Sequence, residues 1–202
     1  MIETDEQLVS AYLRGNDAAF TVLVDRYMKH LYHFARQLVG ENQAAEDIVQ
    51  DTFLKAWKNL KRFDRTKSWK TWIFAIAKNT AYDALKKKKT LPFSSFKNEA
   101  GLNMLENTPL DEVHPDELLD RELTVQTLDQ GLQQLHPDHR VILVLRYQDD
   151  FSLHEIATIL KEPYNTVKSR HQRALRSLKQ VLKRSNASES STLSYSLVSE
   201  IV

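Results

Sequence analysis

The C-terminal half of the chain contains a helix-length segment with side chains that suit binding to duplex DNA. Between Lys161 and Arg184 there are eight Lys or Arg residues and a single acid, Glu162. At about 100° per residue, one side of this segment is apolar and the other is basic, with a serine and a glutamine. In a major groove, Arg reads guanine, Gln reads adenine and Lys binds phosphate. The candidate duplex-binding residues are Lys168, Ser169, Arg170, Gln172, Arg173 and Arg176.

A shorter helix is predicted directly before this basic helix. Ser152 and Glu155 have the spacing of a capping box, and the apolar pattern that follows ends at Leu160. Pro163 cannot continue that helix but suits the start of the next, which the pattern predicts from Thr166 to Lys183. Two helices joined by so short a turn form a helix-turn-helix. The alternative is that the basic side is only the solvated face of an ordinary three-helix core.

A second basic segment, from Lys55 to Lys89, has twelve basic residues and two acids, with aromatic residues between them. Cations along a backbone and rings for unstacked bases suit single-stranded nucleic acid. Alternatively, Trp69 and Trp72 are ordinary core residues, and the four lysines that end the segment are a solvated run. On the helix predicted over residues 69–85, one side comprises Trp72, Ile73, Ile76, Ala77, Thr80 and Ala84. The other side comprises Phe74, Lys78, Tyr82 and Leu85, with Asn79 and Asp83 at the border.

The helix predicted over residues 43–60 has an unusual outward face. Its inward positions are apolar, whereas Asp47, Gln50, Asp51, Leu54 and Lys58 lie on the opposite side. A leucine at the centre of a charged face is either a harmless exposed residue or part of a protein contact. Spacing alone leaves these two alternatives open.

Composition and helical periodicity predict an all-α protein of two small domains. The chain has 202 residues, only four glycines and no cysteine, which excludes disulfides and thiolate metal sites. The acidic start of the chain is unlike a signal peptide, and no apolar run is long enough to span a membrane, so we expect a cytoplasmic protein. His136 and His139 lack the further ligands of a metal site, and no metal or other cofactor is expected.

Charge divides the chain into basic, acidic and basic parts. Residues 1–90 hold 16 basic and 11 acidic residues, a balance of +5; residues 91–130 hold 2 and 9, a balance of −7; residues 131–202 hold 10 and 7, a balance of +3. We therefore predict an N-terminal domain over residues 1–89 and an acidic linker over residues 90–114. A C-terminal helical domain over residues 115–184 and a disordered Ser-rich tail over residues 185–202 complete the chain.

Two parts of the sequence resemble bacterial RNA polymerase sigma factors, most closely those of the extracytoplasmic-function group. In the N-terminal half the resemblance is carried by the string from Ala45 to Phe53 and by the basic, aromatic segment after it. In the C-terminal half it is carried by residues 135–147, 153–160, 166–170 and 173–174. Lys161 and Asn165 depart from the family, which commonly has glycine at both positions. The resemblance covers roughly residues 5–89 and 118–183, in the order the family has them.

This resemblance implies roles and partners that the spacing alone does not. Core RNA polymerase would contact Asp47, Gln50, Asp51 and Leu54. The helix-turn-helix would bind the minus-thirty-five promoter element as duplex, and an anti-sigma factor would regulate the protein. A loop and the helix after it would capture the opened minus-ten element, through Arg62, Phe63, Arg65, Lys67, Trp69, Lys78, Asn79, Tyr82 and Asp83.

Two other classes of function are alternatives to this one. A free-standing helix-turn-helix regulator with an N-terminal sensor domain would need a ligand pocket or a dimer face in residues 1–89 and palindromic DNA sites. The basic, aromatic helix at the end of that domain argues against it. An enzyme finds no support, because the sequence has no Gly-rich phosphate loop, nucleophile motif or paired carboxylates, and no small-molecule substrate is expected.

Overall fold

The computed structural model of the protein describes the backbone of residues 3–88 and 125–199 and the side chains of residues 3–87 and 126–184. The described part is all-helical, as the sequence predicts. Its helices are α1 (Asp5–Leu13), α2 (Asp17–Val39), α3 (Asn42–Asn59), a 3-10 turn (Leu60–Arg62), α4 (Trp69–Lys88), α5 (Val125–Gln134), α6 (Pro137–Tyr147), α7 (Leu153–Leu160) and α8 (Tyr164–Ser199). The expected linker over residues 90–114 lies outside the described residues.

Local signals in the sequence set the ends of several helices. Thr4 caps α1, where its hydroxyl accepts from the Gln7 amide at 3.3 Å and its own amide donates to the Gln7 side chain at 2.8 Å. Ser152 and Glu155 form the equivalent capping box of α7. Gly40 ends α2 in the left-handed conformation, with φ of 80°. The capping box predicted at Ser152 and Glu155 is thereby confirmed.

The length of α8 corrects the prediction for the tail. The helix begins at Tyr164, directly after Pro163, and continues to Ser199, whereas residues 185–202 were expected to be disordered. The Ser-rich composition favoured disorder, but no glycine or proline interrupts the chain after Pro163. Nothing in the sequence therefore stops the helix once it has started.

The helices of residues 3–88 and those of residues 125–199 share one hydrophobic core. The Phe74 ring on α4 lies between the Phe34 ring of α2 at 5.3 Å and the Phe151 ring at 5.0 Å, centroid to centroid. Val141, Ile142 and Ile156 are buried in the same cluster. Phe74 and Ile73, predicted on opposite sides of α4, are both buried, because the C-terminal helices cover the side that carries Phe74. A smaller core, built around Leu143, Leu175 and Leu178, joins α6 to α8.

Arg140 ties the end of α2 to the end of α5. Its guanidinium donates to the Leu38 carbonyl at 2.9 Å, the Leu135 carbonyl at 2.9 Å and the Leu132 carbonyl at 2.8 Å. These carbonyls lie at helix C-termini, where they lack partners within the helix and a cation is favoured. Burial lowers the pKa of Arg140 from its usual value. The buried guanidinium of Arg140 therefore joins helices from the two halves of the chain.

Within the described residues, no helix is both long enough and apolar enough to cross a membrane.

The His136 ring is engaged in a helix cap, where its Nδ1 accepts from the Asp138 amide at 3.3 Å.

Candidate polymerase and nucleic-acid surfaces

The outward face of α3 combines acidic and apolar side chains. Asp47, Gln50, Asp51 and Leu54 are all exposed, while Ile48 and Phe53 on the opposite side are buried in the core. Leu54 is 52% exposed and Trp57 is 51% exposed, more than any other large apolar side chain in the described ranges. Since these two residues are three apart on one helix, they form a continuous apolar ridge beside the acids.

The loop between α3 and α4 is basic outside and aromatic inside. Arg62, Arg65 and Lys67 are exposed. Phe63 and Trp69 are instead buried, with their ring centroids 5.5 Å apart. The Trp72 ring completes the cluster, 4.9 Å from Phe63 and 5.1 Å from Trp69. The expectation that Phe63 and Trp69 contact DNA is therefore corrected, because edge-to-face packing places both rings in the core.

Within this loop, Asp64 makes a local turn. Its carboxylate accepts from the Thr66 hydroxyl at 2.7 Å and from the Thr66 amide at 3.1 Å. These hydrogen bonds hold the pKa of Asp64 below its usual value. The aromatic cluster and the turn together fix the backbone that carries the three exposed cations.

Helix α4 presents only some of its predicted contact residues to solvent. Asn79 and Asp83 are exposed, whereas Lys78 is 9% exposed. The Tyr82 hydroxyl donates to Asp138 Oδ1 of α6 at 2.9 Å. Burial lowers the pKa of Lys78, as does the neighbouring charge of Lys161 at the α7–α8 turn. Lys78 and Tyr82 therefore lie beneath the C-terminal helices.

Helices α7 and α8 form the predicted helix-turn-helix. Lys161 ends α7 in the left-handed conformation, with φ of 58° and ψ of 44°. Val167, Ala174 and Leu175 of α8 are buried, while Lys168 is exposed. The buried and exposed sides alternate as the sequence predicts for a helix that packs on one face and presents the other.

Several polar side chains on α8 are held by neighbours. Arg170 forms an ion pair with Glu162, with Nη1 to Oε2 at 2.7 Å. Arg173 Nη2 lies 3.4 Å from the Ser169 hydroxyl. Ser169, Gln172, Arg173 and Arg176 are partly exposed. Five of the six predicted duplex contacts thus reach one accessible surface of α8, while Arg170 is engaged in the turn.

Comparison with known proteins identifies the family. The sigma-70 region 2 model matches residues 23–90, and the sigma-70 region 4 model matches residues 131–180. The ECF RNA polymerase sigma factor SigW of Bacillus subtilis (strain 168) is 34% identical, in an alignment of 84% of this chain and 92% of that protein. The chain belongs to the ECF sigma factors. The family resemblance and the sigma factor function expected from the sequence are thereby confirmed.

Other known proteins are similar to this sigma factor over most of its length. The RNA polymerase sigma-H factor of Pseudomonas aeruginosa is 32% identical, over 89% of this chain and 94% of that one. Among solved structures, CnrH in complex with the cytosolic domain of CnrY has a TM-score of 0.65 and 25% identity, covering 90% of this chain and 99% of the other. RpoE of Bartonella quintana, bound to the anti-sigma factor NepR, has a TM-score of 0.60 and 28% identity, covering 81% and 96%.

Two features of this sigma factor were not predicted from its sequence. Trp57 extends the ridge of α3, and its spacing from Leu54 could have indicated this. His154 of α7 and Tyr164 of α8 stack face to face, with ring centroids 4.1 Å apart and planes inclined by 12°. No periodic signal indicated that pair, because it depends on the angle between two helices. The stack fixes the start of α8 against α7.

The underside of α8 carries a buried histidine. His171 Nε2 lies 3.0 Å from the Tyr147 hydroxyl of α6. Burial lowers the pKa of His171, and the nearby charge of Arg146 acts in the same direction. The neutral imidazole therefore links the helix-turn-helix to α6.

Proposed function

We propose that this sigma factor binds core RNA polymerase through the outward face of α3, the minus-thirty-five element through α8, and the opened minus-ten strand through the α3–α4 loop and α4. The observation that carries the proposal is the ridge of Leu54 and Trp57, exposed on a helix whose other side is fully packed. Exposed apolar side chains bordered by polar ones are typical of protein contacts.

The composition of this face suits a partner with basic and apolar side chains. Asp47 and Asp51 precede Leu54 by about two turns and one turn, so acids and apolar residues lie along one line of α3. An apolar anchor supplies affinity once it is desolvated, and the acids select a basic partner and its orientation. These properties support Asp47, Gln50, Asp51 and Leu54 as polymerase contacts, with Trp57 added.

The helix-turn-helix supports duplex binding. Lys168, Gln172, Arg173 and Arg176 offer phosphate and base-edge donors from one side of α8. Ser169 lies beside Arg173 and orients it. Arg170 is assigned to the support of the turn through its ion pair with Glu162.

We propose a minus-ten surface that is narrower than the sequence suggested. We assign its accessible part to Arg62, Arg65 and Lys67 in the loop and to Asn79 and Asp83 on α4. Cations along the strand and polar groups at a flipped base are the contacts that such a surface needs. Phe63 and Trp69 support the loop from within.

Domain organisation, location and regulation are part of the same proposal. Residues 1–89 and 115–184 act as two domains joined by the acidic linker over residues 90–114, and the protein works in the cytoplasm with polymerase and promoter DNA. An anti-sigma factor is proposed as a further partner, because the solved neighbour from Bartonella quintana was crystallised with one. No catalytic activity, cofactor or small-molecule substrate is proposed.

Core binding by α3 variants tests the polymerase surface. Asp47→Lys combined with Leu54→Ala should weaken co-elution with core RNA polymerase while circular dichroism and thermal unfolding stay unchanged. The matched control is Leu128→Ala, which truncates a leucine 39% exposed on α5. Core binding that is equal in the double variant and the control would refute the assignment.

A further inference from the structure

The rings of His154 and Tyr164 form an exposed stack where α7 and α8 approach each other. Their centroids lie 4.1 Å apart, with the planes inclined by 12°, and both side chains are exposed. Within the part of the chain that the structure describes, neither the imidazole nitrogens of His154 nor the Tyr164 hydroxyl has a hydrogen-bond partner. Stacking therefore fixes two polar rings at the surface and leaves their hydrogen-bonding groups available to a ligand.

The stack lies at the edge of the proposed duplex surface. His154 belongs to the first turn of α7, which is held by the capping box at Ser152, and Tyr164 is the first residue of α8. In a helix-turn-helix, the first helix crosses the DNA backbone and the N-terminal residues of the second reach into the major groove. A group to which both helices contribute lies at the boundary between the two, where the phosphates of one strand pass.

The charges around the stack favour an anion. The two acids between residues 153 and 168 are both engaged, since Glu155 accepts within the capping box of α7 and Glu162 Oε2 lies 2.7 Å from a guanidinium nitrogen of Arg170. Lys161 in the turn and Lys168 on α8 are exposed. The exposed charges on this part of the surface are therefore positive, which favours a phosphate as the ligand.

We propose that His154 and Tyr164 together bind one backbone phosphate of the minus-thirty-five duplex. The phenol hydroxyl and the N–H of a neutral imidazole each donate to a non-bridging oxygen, because stacking places both polar groups within reach of a single phosphate. Phosphate contacts carry no sequence information but set the register of a protein on its duplex. The pair is thus a positioning element for the base contacts of α8. The inference rests on the proposed duplex binding by α8 and deepens it.

Rigidity distinguishes this contact from the contacts of nearby lysines. A lysine side chain loses much rotamer freedom when it binds a phosphate, whereas the stacked rings are ordered before DNA arrives. The pair therefore defines where the DNA backbone lies relative to α8, while Lys168 adds attraction between charges.

Removal of the polar groups without loss of the stack is the first test, made with the full-length chain in holoenzyme. Tyr164→Phe and His154→Phe each keep an aromatic ring in the stack and remove its hydrogen-bond donor. Each should weaken holoenzyme binding to a promoter duplex selected by the wild type about tenfold, the size expected for a hydrogen bond to a charged group. Tyr147→Phe, which removes a hydroxyl from a tyrosine 47% exposed on α6, is the matched control and should bind as wild type does. Unchanged binding by either stack variant would overturn the joint contact.

Neutralising single phosphates is the second test, and it identifies the ligand. The promoter duplexes carry one methylphosphonate each, at successive positions of the minus-thirty-five element. One of them should weaken wild-type binding about tenfold and have no further effect on the variant that carries both Tyr164→Phe and His154→Phe. The same profile of sensitive phosphates in wild type and double variant would overturn the proposal. So would a difference between the two proteins that disappears when uracil replaces thymine, because the rings would then read a base.

Lys168→Ala separates failure of this contact from failure of the proposed function. If Lys168→Ala and the double variant both bind the promoter as wild type does, α8 does not bind the duplex and its proposed function is wrong. If Lys168→Ala weakens binding while the double variant does not, α8 binds the duplex and the contact through His154 and Tyr164 is refuted.

Discussion

Trp57 of α3 donates its indole N–H to the Tyr12 hydroxyl of α1 at 2.6 Å. The Tyr12 ring in turn packs against Phe20 of α2, with centroids 5.4 Å apart. An exposed tryptophan is thus held in one orientation by three helices rather than left to rotate. Preorganisation of this kind lowers the entropic cost of binding a partner.

The first prediction concerns this fixed indole. Trp57→Ala should reduce affinity for core RNA polymerase by about 2 kcal/mol, the size expected for a buried aromatic anchor. Tyr12→Phe should reduce it about threefold, because only the orienting hydrogen bond is lost. Titration of labelled protein with core polymerase measures both. Equal affinity for wild type and Trp57→Ala would remove Trp57 from the interface.

The second prediction concerns base reading by α8. Arg173→Ala should cost about 1–3 kcal/mol on the cognate minus-thirty-five duplex and much less on random duplex. Lys168→Ala is the comparison, since loss of a phosphate contact weakens both duplexes alike. Competition binding at fixed salt distinguishes the two patterns. Equal losses on both duplexes for Arg173→Ala would make it a phosphate contact too.

The third prediction concerns the turn of the helix-turn-helix. Lys161 has φ of 58°, which costs a residue with a Cβ atom about 1–2 kcal/mol. Lys161→Gly should therefore raise the free energy of unfolding by about 1 kcal/mol, after the greater freedom of glycine in the unfolded chain is counted. Asp150→Gly, at φ of 57°, is the matched control and should gain less, because Asp adopts this conformation more readily. A loss of stability in Lys161→Gly would contradict the turn geometry.

The fourth prediction concerns pH. Burial raises the pKa of Asp149 to about 7, with the charge of Asp150 in the same direction and that of Lys70 opposed. As pH rises from about 4 to about 7, the unfolded carboxyl ionises first, so the contribution of Asp149 to stability falls and then levels off. Asp149→Asn should remove this decline and exceed wild type in stability above pH 7.

Urea unfolding between pH 5 and pH 8 measures this difference. The free energies of unfolding of Asp149→Asn and wild type should move apart as pH rises, by at most about 1.4 kcal/mol per pH unit. The comparison is repeated in a His30→Gln background, which removes the imidazole that lies 3.6 Å from Asp149. His139, whose pKa burial lowers to about 4, is common to all variants and cancels. Parallel curves for wild type and Asp149→Asn would show that Asp149 does not titrate in this range.

The sequence predicts the local features of this fold well. It predicts poorly how the C-terminal helices pack against α4. The caps at Thr4, Gly40 and Ser152 and the outward face of α3 follow from neighbouring residues alone. The covering of Phe74 and Tyr82 does not, because it depends on which side of α4 receives helices that lie more than fifty residues further along the chain. A basic, aromatic helix looks equally suited to DNA and to a protein surface with acids at Asp138 and Glu162.

The most direct test of the account is transcription by core RNA polymerase reconstituted with this protein on a promoter library. The account predicts stable co-elution and transcripts from a defined subset of promoters. It also predicts that Leu54→Ala with Asp47→Lys abolishes those transcripts, while Leu128→Ala does not. Transcripts that do not depend on the added protein, or equal activity of the two variants, would contradict it.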